Sequence, residues 1–246
     1  MGEHFLPEWG RHKSEPRLEN DPTSAPAAVI AKQKNDLRSD RQSGFTDLSH
    51  AKFAAETCKN CSLWERATQT IFGEGPVPAL IMLVGEQPGD QEDVRGRPFV
   101  GPAGRLLDEA LKQAGLDRAL AYVTNAVKHF KWEPLGNRRL HKKPTPREIE
   151  ACRPWLRTEL EFVRPQIVVS LGATATTCLL GKEFRVTANR GQFIQSSDSL
   201  NVFVTVHPSA ILRSQDKETR QAEFEHFVED LKKVVVSLDR SLGKKD

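Results

Sequence analysis

The residues best suited to chemistry are a histidine and the cations around it in one short segment, which is predicted to be a loop. His141 lies within residues 136–143 of the sequence. Its basic neighbours there are Arg138, Arg139, Lys142 and Lys143. Such side chains bind phosphate, and their charges favour the neutral form of a nearby imidazole. A neutral imidazole has a lone pair for attack, so His141 is a candidate nucleophile. The alternative is a histidine that only decorates a phosphate-binding loop.

The charge of this segment also points to a polyanion. Residues 128–147 hold seven basic residues and one acidic residue, whereas the chain of 246 residues has a net charge of +3. The segment is therefore strongly basic and the remainder of the chain is slightly acidic. A basic segment on an acidic body favours one point of contact with a polyanion such as nucleic acid. The alternative is a solvated, lysine-rich loop.

A second cluster of polar residues follows an apolar run at residues 79–84. It contains Gly85, Pro88 and Gly89, which together favour a tight turn that lets the backbone approach a ligand. The glycine spacing is typical of neither a dinucleotide-binding turn nor a P-loop. Its carboxylates would repel a bound phosphate unless they point away from it or take part in catalysis. They are Glu86, Asp90, Glu92 and Asp93. The alternative is an acidic surface turn.

Two further strand ends carry polar side chains. Asn125 presents a donor and an acceptor side by side, as needed to read the edge of a nucleobase, although asparagine after a strand also forms turns. His207 precedes Pro208 and Ser209 at another strand end. That histidine could donate a hydrogen bond to a developing anion, or it could cap the helix that follows.

Three cysteines and a histidine form a candidate metal site. Cys58 and Cys61 are separated by two residues, a spacing that lets both sulfurs bind one ion. Cys152 lies on the apolar stripe of its helix and is a candidate third ligand, and His129 is a candidate fourth. Cys178 lies in an apolar helix and is expected to be a core residue. The spacing fits either zinc or an iron–sulfur cluster.

The periodicity of apolar residues predicts the elements that position these side chains. Strands are expected at residues 79–84, 121–127, 166–171 and 202–206. Helices are expected at residues 104–115, 145–163, 172–180 and 217–238. Alternating strands and helices predict an α/β fold, a three-layer α/β/α arrangement around a central, mostly parallel four-stranded sheet. Ligands bind such sheets at the carboxyl ends of the strands, where the polar residues described above occur.

The composition and the first residues of the chain indicate the class of protein to expect. With 38% hydrophobic and 28% charged residues, the chain is typical of a globular protein. The longest apolar run is far shorter than the roughly 20 residues that span a membrane, so no membrane partner is expected. Without an export signal, a cytoplasmic location and unpaired cysteines are expected. We expect a polar, loosely packed extension at residues 1–45, a domain at residues 46–240 and a tail at residues 241–246.

Taken together, the motifs resemble the uracil-DNA glycosylase superfamily. Residues 85–90, residues 97–101, Thr124-Asn125 and His207-Pro208-Ser209 occur in that family's order. With Cys58, Cys61 and Cys152 they are similar to the iron–sulfur, family 4-like branch. Gln87 and residues 138–141 resemble its X-type members, which cross-link themselves to uracil-containing DNA. The resemblance covers about residues 46–240.

The resemblance implies an activity and its partners. The protein would flip uracil out of single-stranded or duplex DNA, release free uracil, and stay covalently bound to the abasic deoxyribose through His141. It would act once, as a monomer, and associate with the nucleoid. A cluster, expected to be [4Fe-4S], would be held by Cys58, Cys61, His129 and Cys152. Typical family 4 members have a cysteine near the position of His129.

The resemblance also implies a role for each site residue. Phe99 would stack on the flipped uracil, Asn125 would read its edge, and His207 would stabilise negative charge on the leaving base. The remaining roles concern the pocket and the DNA. Gln87 and Asp90 would line the pocket, and Glu86 would orient or activate the attacking group. Glu86 or Asp90 would also act in catalysis by stabilising positive charge on the sugar. DNA would contact Arg138, Arg139, Lys142, Lys143 and Ser209.

Two alternatives remain at this point. One is a conventional glycosylase that uses water and turns over many times. The other is a metal-braced nucleic-acid-binding module without catalysis, which would have no need of Phe99, Asn125 and His207 together.

Overall fold

A computed structural model describes residues 44–243. Almost all of the predicted extension, and the last three residues, lie outside this range. The strands are β1 (Ile81–Gly85), β2 (Ala121–Asn125), β3 (Trp132–Leu135), β4 (Arg138–His141), β5 (Ile167–Leu171), β6 (Phe193–Gln195) and β7 (Asn201–Thr205). The helices are α1 (Leu48–Ala55), α2 (Asp90–Arg95), α3 (Pro102–Gln113), α4 (Pro146–Val163), α5 (Ala173–Leu180), α6 (Val186–Asn189), α7 (Pro208–Leu212) and α8 (Lys217–Leu242).

The central sheet has five strands in the order β2-β1-β5-β7-β6. All pairs are parallel except β6 with β7. The mostly parallel sheet is confirmed, but the predicted number of four strands is wrong. The four predicted strands correspond to β1, β2, β5 and β7. The fifth strand, β6, has only three residues and lies at the edge of the sheet, so its sequence lacks the apolar run that marks a buried strand.

Helices cover both faces of the sheet, which confirms the three layers. On one face, α3 and α8 contribute Leu107, Leu111 and Phe227 to a core that includes the β-strand residue Leu83. On the other face, α4 and α5 pack against a second core. Cys178 is buried in that second core, as the apolar pattern of its helix predicts.

Side-chain caps define the starts of the two long helices. Thr145 accepts a hydrogen bond from the backbone N–H of Glu148 at the start of α4, and Glu148 reaches back to the N–H of Thr145. Asp216 caps α8 in a similar way. The predicted helix ended at residue 238, whereas α8 continues to Leu242 and so enters the predicted tail.

Residues 136–143 were expected to form a loop, and this expectation is wrong. Strands β3 and β4 form an antiparallel hairpin in which Trp132 pairs with His141 and Leu135 with Arg138. Gly136, with a φ of +56°, lies in its two-residue turn. A glycine followed by asparagine between two short strand-like segments is a known hairpin signal. The prediction of a loop rested on the basic composition and did not use this signal.

Among residues 44–243, no helix combines the length and the apolar character needed to cross a membrane.

Candidate active site

The carboxyl ends of β1 and β2 bring two of the predicted base-binding residues together above Gly85. A β-carbon placed on Gly85 would lie 2.4 Å from Asn125 Oδ1 and 2.6 Å from Phe99 Cζ. Only glycine lets the amide and the phenyl ring approach the strand end this closely. Phe99 and Asn125 are both buried, at 5% and 2% exposure. A flat ring beside a hydrogen-bonding amide is suited to hold a planar base.

The backbone around Phe99 is strained and firmly held. Phe99 has a φ of +54°, which non-glycine residues rarely adopt. Glu92 holds the segment from residue 89 to residue 101 at its two ends. Its carboxylate accepts hydrogen bonds from the N–H of Gly89 (3.1 Å), just before α2, and from the N–H of Gly101 (2.7 Å), two residues after Phe99. A β-carbon on Gly104 would lie 1.7 Å from the Phe99 carbonyl oxygen, so that position also requires glycine. The sequence motif contains Glu92 but does not indicate this role.

His207 both caps a helix and leaves one nitrogen free to donate. Its Nδ1 accepts a hydrogen bond from the backbone N–H of Ser209 at 3.1 Å, at the start of α7. Nδ1 therefore carries no proton in the neutral ring, and Nε2–H is the donor. Burial lowers the pKa of His207 to about 4, helped by the charges of Arg213 and His141. The predicted helix cap is confirmed, and it fixes the tautomer that a hydrogen-bond donor needs.

His141 lies at the end of β4, and its Nε2 is 3.7 Å from Glu86 Oε1. The His141 side chain is only partly buried, at 48% exposure, and this partial burial is the main cause that lowers its pKa, while Glu86 raises it and Arg213 lowers it again. The imidazole is therefore neutral near pH 7, as the sequence predicts, but the main cause is burial rather than the neighbouring cations of the hairpin. Its ring centre lies 6.0 Å from that of Phe130.

Glu86 is oriented by a residue that the sequence motifs did not single out. Thr174, in the first turn of α5, donates a short hydrogen bond to Glu86 Oε2. The other carboxylate oxygen faces His141. Because α5 begins directly after the carboxyl end of β5, its first turn belongs to the same edge of the sheet. This position alone could have marked Thr174 as a candidate.

Arg139, predicted to bind phosphate, fastens the hairpin to α2. Its Nε donates to Asp90 Oδ1 at 2.6 Å and its Nη1 to Asp93 Oδ2 at 2.5 Å. Asp93 is fully buried and also accepts from the backbone N–H and hydroxyl of Thr68. Arg138, in contrast, is exposed on the other face of the hairpin. The carboxylates Asp90 and Asp93 are thus neutralised by a cation of the hairpin itself.

Gln87, predicted to line the pocket, also contacts the hairpin. Its amide nitrogen donates to the carbonyl oxygens of Lys142 (3.0 Å) and Lys131 (3.2 Å). Its amide oxygen accepts from the N–H of Lys131 at 3.2 Å. One side chain therefore joins the chain entering β3 to the chain leaving β4. These contacts, together with those of Arg139, set the position of His141 relative to Glu86.

Three of the four predicted metal ligands, the cysteines, are near enough to influence one another's charge. Burial is the main cause that raises the pKa of Cys61, and Cys58 raises it further. Burial also raises the pKa of Cys152, to about 12, with smaller contributions from Cys61 and Cys58. Within the described part of the chain, no three His, Cys, Asp or Glu side chains are close enough to enclose one metal ion. His129 is buried, and its Nε2 is hydrogen-bonded to Thr70 Oγ1 at 2.9 Å.

The environment of the thiols nevertheless fits thiolate ligands. The indole N–H of Trp155 donates to Cys58 Sγ at 3.1 Å, and the backbone N–H of Lys128 donates to Cys152 Sγ at 3.2 Å. N–H groups directed at sulfur stabilise negative charge on metal-bound thiolates. Two of the three sulfurs thus have the N–H donors that suit thiolate ligands of an iron–sulfur cluster, whereas the Nε2 of His129 already has a partner.

A cavity of about 300 Å³ lies at the opposite end of the fold. It is lined by residues from the C-terminal end of α5 and from the turn before β7, including Cys178, Gly181 and Leu200. The amino ends of the parallel strands lie there, and none of the predicted site residues lines it. The chemistry is therefore concentrated at the carboxyl ends of the strands.

This arrangement of Phe99, Asn125 and His207 agrees with a comparison against known families. The sequence model of the uracil DNA glycosylase superfamily matches residues 72–232. The chain belongs to the uracil-DNA glycosylase superfamily. All of the residues that this glycosylase brings to the carboxyl ends of its central strands lie inside the matched range, whereas Cys58 and Cys61 precede it.

Individual relatives of this glycosylase are type-4 enzymes. It is 40% identical to the type-4 uracil-DNA glycosylase of Thermotoga maritima over 169 residues, which cover 68% of this chain and 84% of that protein. It is 40% identical to the type-4 enzyme of Sulfurisphaera tokodaii over 173 residues, 67% of this chain and 76% of that protein. It is 34% identical to the enzyme of the same name from Saccharolobus solfataricus over 194 residues, 75% and 87% of the two chains.

Proposed function

We propose that this chain is a uracil-DNA glycosylase that captures its own product, with His141 as the attacking nucleophile. The substrate is uracil-containing DNA. The products are free uracil and a protein covalently attached to the abasic deoxyribose. Membership of the superfamily supports the excision of uracil. The position and ionisation of His141 support the capture.

The pocket residues can lower the barrier to breaking the bond between uracil and the sugar. As that bond breaks, negative charge develops on uracil and positive charge on the sugar. The Nε2–H of His207 is suited to donate to the base, and the Glu86 carboxylate is suited to stabilise the sugar. Asn125 and Phe99 would hold the flipped base by its edge and its face. These interactions strengthen as charge separates, which is the condition for catalysis.

In the capture step, the neutral imidazole of His141 attacks C1′ of the sugar. The Nε2 lone pair forms a bond to C1′, and the electron pair of the broken glycosidic bond leaves with uracil. The ring becomes an N-alkylated imidazolium and then loses its Nδ1 proton to solvent, while the uracil anion takes up a proton. Because the pKa of the half-exposed His141 is lowered, its imidazole is neutral near pH 7 and the nucleophile needs no base to activate it.

The observation that carries this proposal is the 3.7 Å separation of His141 Nε2 from Glu86 Oε1 on a hairpin held by Gln87 and Arg139. The test is a denaturing gel after incubation with a uracil-containing single-stranded oligonucleotide. A slower band should form with uracil and be absent with thymine. His141→Ser should lose the band, and the matched control His226→Ser, exposed on α8, should keep it.

A second candidate function is hydrolysis by water with repeated turnover. The identity of 40% to type-4 uracil-DNA glycosylases favours it. Glu86 would then activate water instead of orienting His141. The same experiment separates the two: wild-type protein that releases several equivalents of uracil without a stable band would support hydrolysis and refute capture.

We further propose that Cys58, Cys61 and Cys152 would hold an iron–sulfur cluster of the [4Fe-4S] type, with His129 as the fourth ligand. The N–H donors on two of the sulfurs support the cluster. Its role here is to tie α4 to the segment that precedes β1. An iron–sulfur cluster would give brown protein that absorbs at about 400 nm. Colourless protein with one equivalent of zinc would refute it.

A further inference from the structure

A fully buried ion pair lies beneath the base-reading asparagine. Lys128 and Glu159 each have side chains with 0% exposure, and their charged groups are 2.5 Å apart. The sequence suggested that Lys128 belongs to a basic surface, so its burial is unexpected. Buried ion pairs contribute little net stability, because both charges lose their hydration. A role in fixing the position of a neighbouring group is a better explanation for such a pair.

The lysine directs two of its three donors at groups at the end of β2 and the third at Glu159 on α4. Besides Glu159, its Nζ donates to Thr124 Oγ1 and to the backbone carbonyl of Asn125, both at 2.7 Å. The Thr124 hydroxyl in turn lies 3.0 Å from each Glu159 oxygen. An ammonium group has three N–H donors, and each of them has an acceptor here. The end of β2 is therefore held by one cation.

Glu159 connects this arrangement to the rest of the domain. The carboxylate projects from α4 and accepts from the backbone N–H of Gly73 at 2.7 Å and from the hydroxyl of Tyr122 at 3.1 Å. It thereby joins α4, β2 and the segment before β1. The carbonyl of Asn125 is thus fixed against a rigid helix rather than against a mobile loop.

The backbone carbonyl of Asn125 controls where its side-chain amide lies. The amide oxygen packs against Gly85, next to Phe99, with no room for a β-carbon between them. A group that reads a base edge must be held to within about 0.5 Å. A rotation of this peptide would move the amide toward or away from the ring of Phe99. Two hydrogen bonds oppose that rotation: the one from Lys128 to the Asn125 carbonyl at 2.7 Å, and the one from the Ala126 N–H to the Gly85 carbonyl at 2.9 Å.

We propose that Lys128 and Glu159 are positioning residues that hold Asn125 for selective recognition of uracil. This inference rests on the proposed function of the site. It implies that discrimination between uracil and other bases depends on a charge pair that never contacts the DNA. A neutral side chain at position 128 leaves the Asn125 carbonyl and the Glu159 carboxylate without this donor.

The test is a double-mutant cycle between Lys128→Met and Asn125→Ala, read as the single-turnover rate of uracil release at saturating oligonucleotide. Lys128→Met alone should lower the rate by about 10-fold to 100-fold, the effect of losing one well-placed hydrogen bond in the transition state. In the Asn125→Ala background it should have no further effect. The apparent affinity for undamaged oligonucleotide should not change.

Two variants separate positioning from folding. Lys128→Met/Glu159→Gln removes both charges, so it should fold even if the single variant does not, and it should show the same reduced rate. Lys232→Met breaks an exposed ion pair with Glu229 within α8 and should leave the rate unchanged. A wild-type rate in Lys128→Met/Glu159→Gln would overturn the proposal. An equal loss of rate from Lys128→Met with Asn125 present and with Asn125→Ala would also overturn it. Wild-type protein without uracil release would instead overturn the proposed function.

Discussion

Replacing Arg139 by alanine should release the hairpin that carries His141. The contact with Asp90, whose side chain is 57% exposed, contributes at most about 1 kcal/mol. The contact with Asp93, whose side chain is 0% exposed, contributes more. Breaking a buried ion pair destabilises a protein by about 3 to 5 kcal/mol. We use the lower value, about 3 kcal/mol, because Thr68 still donates two hydrogen bonds to Asp93 when Arg139 is removed. Together these losses shift the equilibrium between the docked and the undocked hairpin by a factor of about 10² to 10³.

The measurement is the rate of covalent adduct formation with a uracil-containing oligonucleotide. If the hairpin must be docked for attack, Arg139→Ala should slow the adduct by about 100-fold, a factor worth about 2.7 kcal/mol. The matched control is Arg138→Ala on the exposed face of the same hairpin. It should lose one phosphate contact and change mainly the salt dependence of binding. An Arg139→Ala protein that forms adduct at the wild-type rate would refute the reasoning.

Three other results are expected. Because the pKa of His141 is lowered, the adduct rate should be constant above about pH 6.5 and fall in more acidic solution as the ring gains a proton; a rate that rises with acidity would contradict this. The pKa of His207 is about 4 in the folded chain, so its contribution to stability is complete above the unfolded pKa and decreases as pH falls, by about 2 kcal/mol at pH 5. Urea unfolding at pH 7 and pH 5 should show this loss, and His207→Asn should remove most of it. Gly85→Ala should place a methyl group against Asn125 and lower uracil release at least about 10-fold, with melting temperature as the control for folding.

The residues that the sequence identifies correctly are those whose position follows from a local pattern. The apolar run before Gly85 predicts a buried parallel strand, and the carboxyl ends of such strands meet at one edge. Glu86, Asn125 and His207 are therefore expected near one another, and the structure places them at that edge. The short edge strand β6 has no such pattern, which explains the strand missing from the prediction.

The residues whose role was not predicted depend on partners far along the chain. Arg139 binds carboxylates 46 and 49 residues away, and Gln87 binds carbonyl groups 44 and 55 residues away. Neither spacing leaves a periodic mark in the sequence. In the sequence, Lys128 looks like part of the basic segment, because nothing there indicates that Glu159, 31 residues later, is its partner. Contacts of this kind follow from the packed fold and not from composition.

The pairing of cations within the chain also sets how strongly the protein should respond to salt. Of the seven basic residues in the segment 128–147, four have a carboxylate partner in the same chain: Lys128, Lys131, Arg139 and Lys142. In the range 44–243, no ion pair involves Arg138, Lys143 or Arg147. A single strand bound there would displace about three counterions, so the logarithm of the binding constant should fall with a slope of about −2 against the logarithm of salt, instead of about −5 for seven. Undamaged DNA would then dissociate readily at moderate ionic strength, and a long stay on the strand would depend on the extruded base.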